Sequence, residues 1–117
     1  MAEIQIEQSE KDGKPFTICR PVGDIDAYSV GQFREALAEL AESPHLLIDL
    51  GEVPFMDSAG LGALIGGIRR ARDNDSQVVV SCGKPALTRL LHTTGFDRIV
   101  PVVESYDDAV NALFENE

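Results

Sequence analysis

Val53-Pro54-Phe55-Met56-Asp57-Ser58-Ala59-Gly60-Leu61-Gly62 decides the reading of this chain. Before it stands Leu46-Leu47-Ile48-Asp49-Leu50, a nearly all-apolar run of the kind covered on both faces in a parallel sheet. After it, Leu61, Leu64, Ile65 and Ile68 recur at helical spacing, which predicts a helix from Ser58 to about Arg72. Asp73-Asn74-Asp75 ends that helix. A hydroxyl therefore sits where a helix begins, with a carboxylate before it and glycines after it. The first turn of a helix presents unpaired N–H groups and partial positive charge, and holds a phosphate well. Ser58 has three readings there: a silent cap, a nucleophile or a phosphate acceptor.

Near the N-terminus, Ile4-Gln5-Ile6-Glu7 alternates like a half-buried strand. Lys11-Asp12-Gly13-Lys14 is a turn signal and Pro15 to Val22 a second strand, so the chain opens with a hairpin. Gly23-Asp24-Ile25-Asp26-Ala27-Tyr28 reads as a loop, and Ser29 with Gln32 as a capping box for a helix that buries Phe33, Leu37 and Leu40. Beyond the central helix, Gln77 to Cys82 predicts a strand and Pro85 to His92 a helix closed by Gly95. Arg98 to Val103 predicts a last strand, and Ser105 with Asp108 caps a final helix carrying Ala109, Leu113 and Phe114. The order β-β-α-β-α-β-α-β-α implies one α/β domain over residues 1–117, with a mixed sheet opened by a hairpin and right-handed crossovers.

The 117 residues suffice for one modest core, and a hydrophobic fraction of 44% suits a folded chain. A net charge of −10 repels phosphate backbones and anionic lipid, which argues against nucleic acid or a membrane surface as partner. The cluster Arg69, Arg70, Arg72 is read as a solvated helix end favoured by the dipole. No apolar run approaches the roughly 20 residues that span a bilayer, and Met1-Ala2-Glu3-Ile4-Gln5 is unlike a signal peptide. A cytoplasmic location is expected. Cys19 and Cys82 lie in strand runs without metal-ligand spacing and are read as buried free thiols.

Three enzyme-like readings compete. A nucleophile elbow would need Gly-x-Ser-x-Gly, but Met56 replaces the first glycine, and the helix pattern around His92 accounts for that histidine without catalysis. Gly60-Leu61-Gly62 with Gly66 lacks dinucleotide spacing, and no Gly-Lys-Ser/Thr occurs for a phosphate loop. A receiver domain would place an acidic pair after its first strand, where this chain has a hairpin; Asp49 is more simply a polar strand position.

Gly62, Gly66 and Gly67 each cost a helix about 1 kcal/mol relative to alanine, so close approach by another backbone is the usual reason for them. Packing against the domain's own sheet is one explanation; Gly62 and Gly66 fall beside the apolar stripe, which favours a smooth flank turned to a partner. Asp24, Asp26 and Asp57 supply turn and cap chemistry; together they also form an acidic rim around Ser58. With no histidine nearby, no metal site or cofactor is expected.

Phe55-Met56-Asp57-Ser58-Ala59-Gly60-Leu61-Gly62 closely resembles the phosphorylation motif of bacterial anti-sigma-factor antagonists of the STAS domain family. Gly23-Asp24-Ile25-Asp26 resembles the family's Gly-Glu-apolar-Asp loop, and Gly95 to Val100 its late helix-to-strand turn, so the likeness runs over nearly the whole chain. Ala59 stands where many relatives carry a second serine, and Asp24 where glutamate is frequent. The resemblance implies that Ser58 is phosphorylated by an anti-sigma factor that is also a serine kinase, with ATP bound by the kinase. The unphosphorylated form would bind that partner and free the sigma factor, and a serine phosphatase would reverse the mark. Taken with the acidic rim and the glycine flank, it leads to an expected partner surface of Asp24, Asp26, Asp57, Ser58, Ala59, Gly60, Gly62 and Gly66, and it implies no catalysis by the chain itself. The family also contains accessory subunits of lipid or anion transporters and of signalling assemblies, the alternative role.

Overall fold

Asp12 and Gly13 take φ of +52° and +82°, the left-handed pair that closes a two-residue hairpin with the right-handed twist of its strands. In a computed structural model of the chain, which describes residues 3–115, this turn joins β1 (Glu3–Lys11) to β2 (Lys14–Val22), antiparallel with Lys11 opposite Lys14. There follow α1 (Val30–Glu39), β3 (His45–Asp49), α2 (Ser58–Asp73), β4 (Gln77–Ser81) and α3 (Pro85–Thr93). A 3₁₀ turn (Phe96–Arg98), β5 (Val102–Val103) and α4 (Tyr106–Leu113) complete the order. The five strands lie in the order β1-β2-β3-β4-β5, and every pairing after the hairpin is parallel. The expected mixed α/β sheet is present.

Alternation along the strands divides the core in two. Cys19, Leu46, Ile48, Val78 and Val80 face one side, where Phe33 and Leu37 of α1, Leu64 and Ile68 of α2 and Leu87 and Leu91 of α3 cover them. Phe16, Ile18, Leu47 and Val79 face the other, under Ala109, Leu113 and Phe114 of the α4 end. Both faces of β3 are thus buried, which is why its sequence is a continuous apolar run.

Two local expectations fail. Ser29 precedes α1 but forms no capping box: its backbone is already helical and its hydroxyl donates to the Asp24 carbonyl at 2.9 Å. Asp26 does the capping work, its carboxylate accepting from the N–H groups of Tyr28 and Ser29 and its carbonyl from that of Val30. The last strand is shorter than Arg98 to Val103. Gly95, at φ +77°, turns the chain into the 3₁₀ segment, and Val100 packs into the core, so only Val102 and Val103 pair with β4. The Ser105 cap forms as expected, its hydroxyl accepting from the Asp108 N–H at 3.1 Å.

Candidate functional site

The segment between β3 and α2 is laced to the loop between β2 and α1. The Gly23 N–H donates to the Glu52 carbonyl and the Ile25 N–H to that of Phe55, both at 3.0 Å. The Asp57 N–H returns to the Ile25 carbonyl at 3.1 Å, and Ile25 and Met56 form a parallel bridge. The Asp57 carboxylate then joins three elements. One oxygen caps α2 by accepting from the Gly60 N–H at 3.0 Å, and the other accepts from the Ala27 N–H at 3.1 Å.

This settles one of the three readings of Ser58. Asp57 is the cap, so Ser58 is the first helical residue, exposed, and no hydrogen bond within the described residues engages its hydroxyl. A serine freed from capping beside the unpaired N–H groups of a first turn can carry a phosphate without the domain losing an internal contact.

The three carboxylates have different duties. Asp24 is exposed and its side chain makes no hydrogen bond among the described residues. Asp26 is half-buried: desolvation alone would raise its pKa, but the N–H groups of Tyr28 and Ser29 and the Ser29 hydroxyl outweigh that and hold it below the usual carboxylate value. Asp57 is spent on the cap and the bridge to Ala27. Asp26, Asp57, Ser58 and Ala59 share one corner of the molecule, while Asp24 lies at the entrance to the first loop.

The glycines separate sharply. Gly60, expected at the partner surface, is buried: a Cβ there would meet the Ile25 carbonyl oxygen and Met56 Cγ, each at 2.7 Å. Its role is internal, letting the helix start press against the bridged loops. Gly67 packs on Leu37 of α1, whose Cδ1 would lie 2.6 Å from an added Cβ. Gly62 and Gly66 are exposed with nothing within 4 Å of an added Cβ. They line a small groove of about 90 Å³ between α1 and α2, edged by Arg34 and Arg70. The buried stripe of α2 is Gly60, Ala63, Leu64, Ile68 and Ala71, rotated from the expected one; Leu61 and Ile65 are only half-buried at its edge.

The competing chemistries find no support in the side-chain partners. Asp49 accepts from Arg20 Nε at 3.0 Å, the Ser81 hydroxyl at 3.1 Å and the Gly51 N–H at 2.9 Å, a structural knot in the sheet. His92 is exposed and pairs with Asp97 at 2.7 Å. Cys19 and Cys82 are buried free thiols, and desolvation pushes Cys19 up to about 12. They stand on β2 and just past β4 with β3 between, about two strand spacings of 4.8 Å apart, too far for a disulfide. Among the described residues no group of three or more potential ligands could hold a metal ion, and no helix is long and apolar enough to cross a membrane.

Two residues at this corner escape pattern reading. Tyr28 follows the Ala27 N–H held by Asp57, and Phe55 carries the carbonyl bonded to Ile25. Both rings are exposed, at 99% and 53%. Periodicity has no means of finding them, because each lies in a loop; only an apolar residue inside a turn-forming segment hints at them.

The model of the STAS domain family matches residues 3–109. An anti-sigma-B factor antagonist of Listeria monocytogenes is 37% identical over 101 residues, covering 85% of this chain and 88% of the relative. An anti-sigma F factor antagonist of Paenibacillus polymyxa is 31% identical over 117 residues, covering 97% of this chain and 96% of that protein. The crystal structure of an anti-sigma factor antagonist from Mycobacterium paratuberculosis superposes with a TM-score of 0.81 at 27% identity, covering 95% and 94% of the two chains. A hairpin-led mixed sheet with a serine at the head of its central helix, and these likenesses along almost its full length, place the chain in the STAS domain family.

Proposed function

We propose that this chain is an anti-sigma factor antagonist whose binding is switched by phosphorylation of Ser58. In its unphosphorylated form it binds an anti-sigma factor that is also a serine kinase, in the cytoplasm, and so releases a sigma factor. The chain is the kinase's substrate and performs no catalysis itself. The Ser58 oxygen attacks the γ-phosphorus of ATP held by the kinase, its bond to ADP breaks, and the hydroxyl proton passes to a base of the kinase. A serine phosphatase hydrolyses the phosphoserine and resets the switch.

The observation that carries this reading is the division of labour at the helix start. Asp57 takes the cap, which leaves the neighbouring hydroxyl exposed and uncommitted. The relatives at 37% and 31% identity, both antagonists of anti-sigma factors by name, support the same role. Phosphate adds about −1.5 to −2 charge, which the helix N-terminus accommodates but which a partner surface matched to Asp24, Asp26 and Asp57 does not. Loss of about 3 kcal/mol would weaken binding by more than a hundredfold.

The test is incubation with the cognate anti-sigma kinase and ATP, followed by mass mapping. One phosphate is expected, on Ser58, and none on Ser58→Ala, which should melt like the parent. Phosphate on Ser9, Ser105 or Thr93, or persistent labelling of Ser58→Ala, overturns the assignment.

A further inference from the structure

Among the described residues only three large apolar side chains are exposed, and two of them, Tyr28 and Phe55, belong to the two loops that are laced together and bonded to Asp57, the residue before Ser58. A single exposed aromatic needs no explanation, since much of any protein surface is apolar. Two on one corner of a chain with only seven aromatic residues do. Tyr28 contributes nothing to the core at 99% exposure, so folding does not account for its ring.

The backbone beneath the rings is held before any partner arrives. Tyr28 donates its N–H to Asp26, Ala27 to Asp57, and Ile25 to the Phe55 carbonyl at 3.0 Å. An aromatic side chain on a fixed backbone loses little entropy on burial and removes about 150–250 Å² from water, the profile of an interface anchor. The loops that carry the rings, residues 23–29 and 50–58, hold Asp24, Asp26, Glu52 and Asp57 and no lysine or arginine.

We propose that Tyr28 and Phe55 are the paired anchors by which the anti-sigma kinase is held, seated in an apolar cleft of the partner whose rim carries lysine and arginine. This rests on the function proposed above and adds a separation of tasks to it. The rings supply affinity in both phosphorylation states, and Ser58 supplies the gate.

The experiment measures Kd for the purified cognate anti-sigma kinase and the steady-state constants for phosphorylation, using Tyr28→Ala, Phe55→Ala and, as control, Ile6→Ala, the third exposed apolar residue. Each anchor variant should raise Kd and KM by about tenfold or more with kcat unchanged, while Ile6→Ala behaves as the parent. Phosphorylated parent and phosphorylated Tyr28→Ala should differ by a similar factor. Tyr28→Ala removes no core contact, so it keeps the test valid even if Phe55→Ala lowers the melting temperature. Parent labelled on Ser58 with anchor variants that match Ile6→Ala would overturn this inference and leave the phosphorylation switch standing. Anchor variants that lower kcat at unchanged KM would overturn it too, by placing the rings in the chemistry. A parent that neither binds the kinase nor is labelled on Ser58 would overturn both.

Discussion

Gly60 and Gly67 sit on the buried side of α2, Gly62 and Gly66 on its open side, and the same residue type serves opposite ends. At Gly60 an added methyl would strike the Ile25 carbonyl oxygen, so hydrogen there lets the helix start dock on the bridge between Ile25 and Met56. At Gly67 it would strike Leu37, so hydrogen there lets α1 and α2 approach. At Gly62 and Gly66 nothing inside the molecule would object. A helix gives up about 1 kcal/mol at each glycine relative to alanine. On the buried side close packing explains that loss; on the open side no internal contact does, and we propose that the surface there is kept smooth for a partner.

Substitutions can break that contrast. The largest effect belongs to Gly60→Val, which should destabilise by about 3 kcal/mol in denaturant unfolding, because one of the colliding atoms is backbone and the bridged loops must part. A loss below about 1 kcal/mol would mean that the loop pair yields freely. Next comes Asp57→Ala, expected to cost about 1–2 kcal/mol through the lost cap and the lost hold on Ala27. Asp57→Asn should recover most of that, since an amide oxygen still caps the helix. If Asn were as damaging as Ala, the charge and not the cap would be the stabilising element. The smallest effect is Gly62→Ala or Gly66→Ala, each neutral or stabilising by up to about 1 kcal/mol through helix propensity. Gly62→Leu should unfold like the parent yet bind the anti-sigma kinase at least about tenfold more weakly. Normal binding by Gly62→Leu would remove the open side of α2 from the interface.

Much of the fold was legible because its signals are local. The Asp12-Gly13 turn, the apolar run of β3, the Ser105 cap and the order of elements each follow from spacing within a few residues. The site was legible only in outline. Ser58 and Asp57 stand out in the motif, but sequence order cannot show which of the two caps α2, since either residue type suits that position. The structure assigns the cap to Asp57 because its second oxygen also reaches Ala27, some 30 positions back in the chain. Long-range lacing of this kind also explains why Ser29 turned from cap to loop brace and why Gly60 proved internal. Ile99 and Val100 read as strand by composition, yet Val100 is pulled into the core after the Gly95 turn. Tyr28 and Phe55 escape for the opposite reason: both stand in turn-forming segments, and nothing in a periodic pattern marks an apolar residue that the core does not use.

In the proposed switch, phosphate on Ser58 acts at the surface, leaving the domain intact and removing its affinity. The most direct test is calorimetric titration of the anti-sigma kinase with the parent and with protein carrying phosphate on Ser58, alongside thermal melting of both. Kd should be at least about a hundredfold weaker for the phosphorylated form, with melting temperatures that agree within a few degrees. Equal affinities would contradict it, as would a weaker Kd accompanied by a large drop in melting temperature, which would make the switch one of unfolding instead of surface charge.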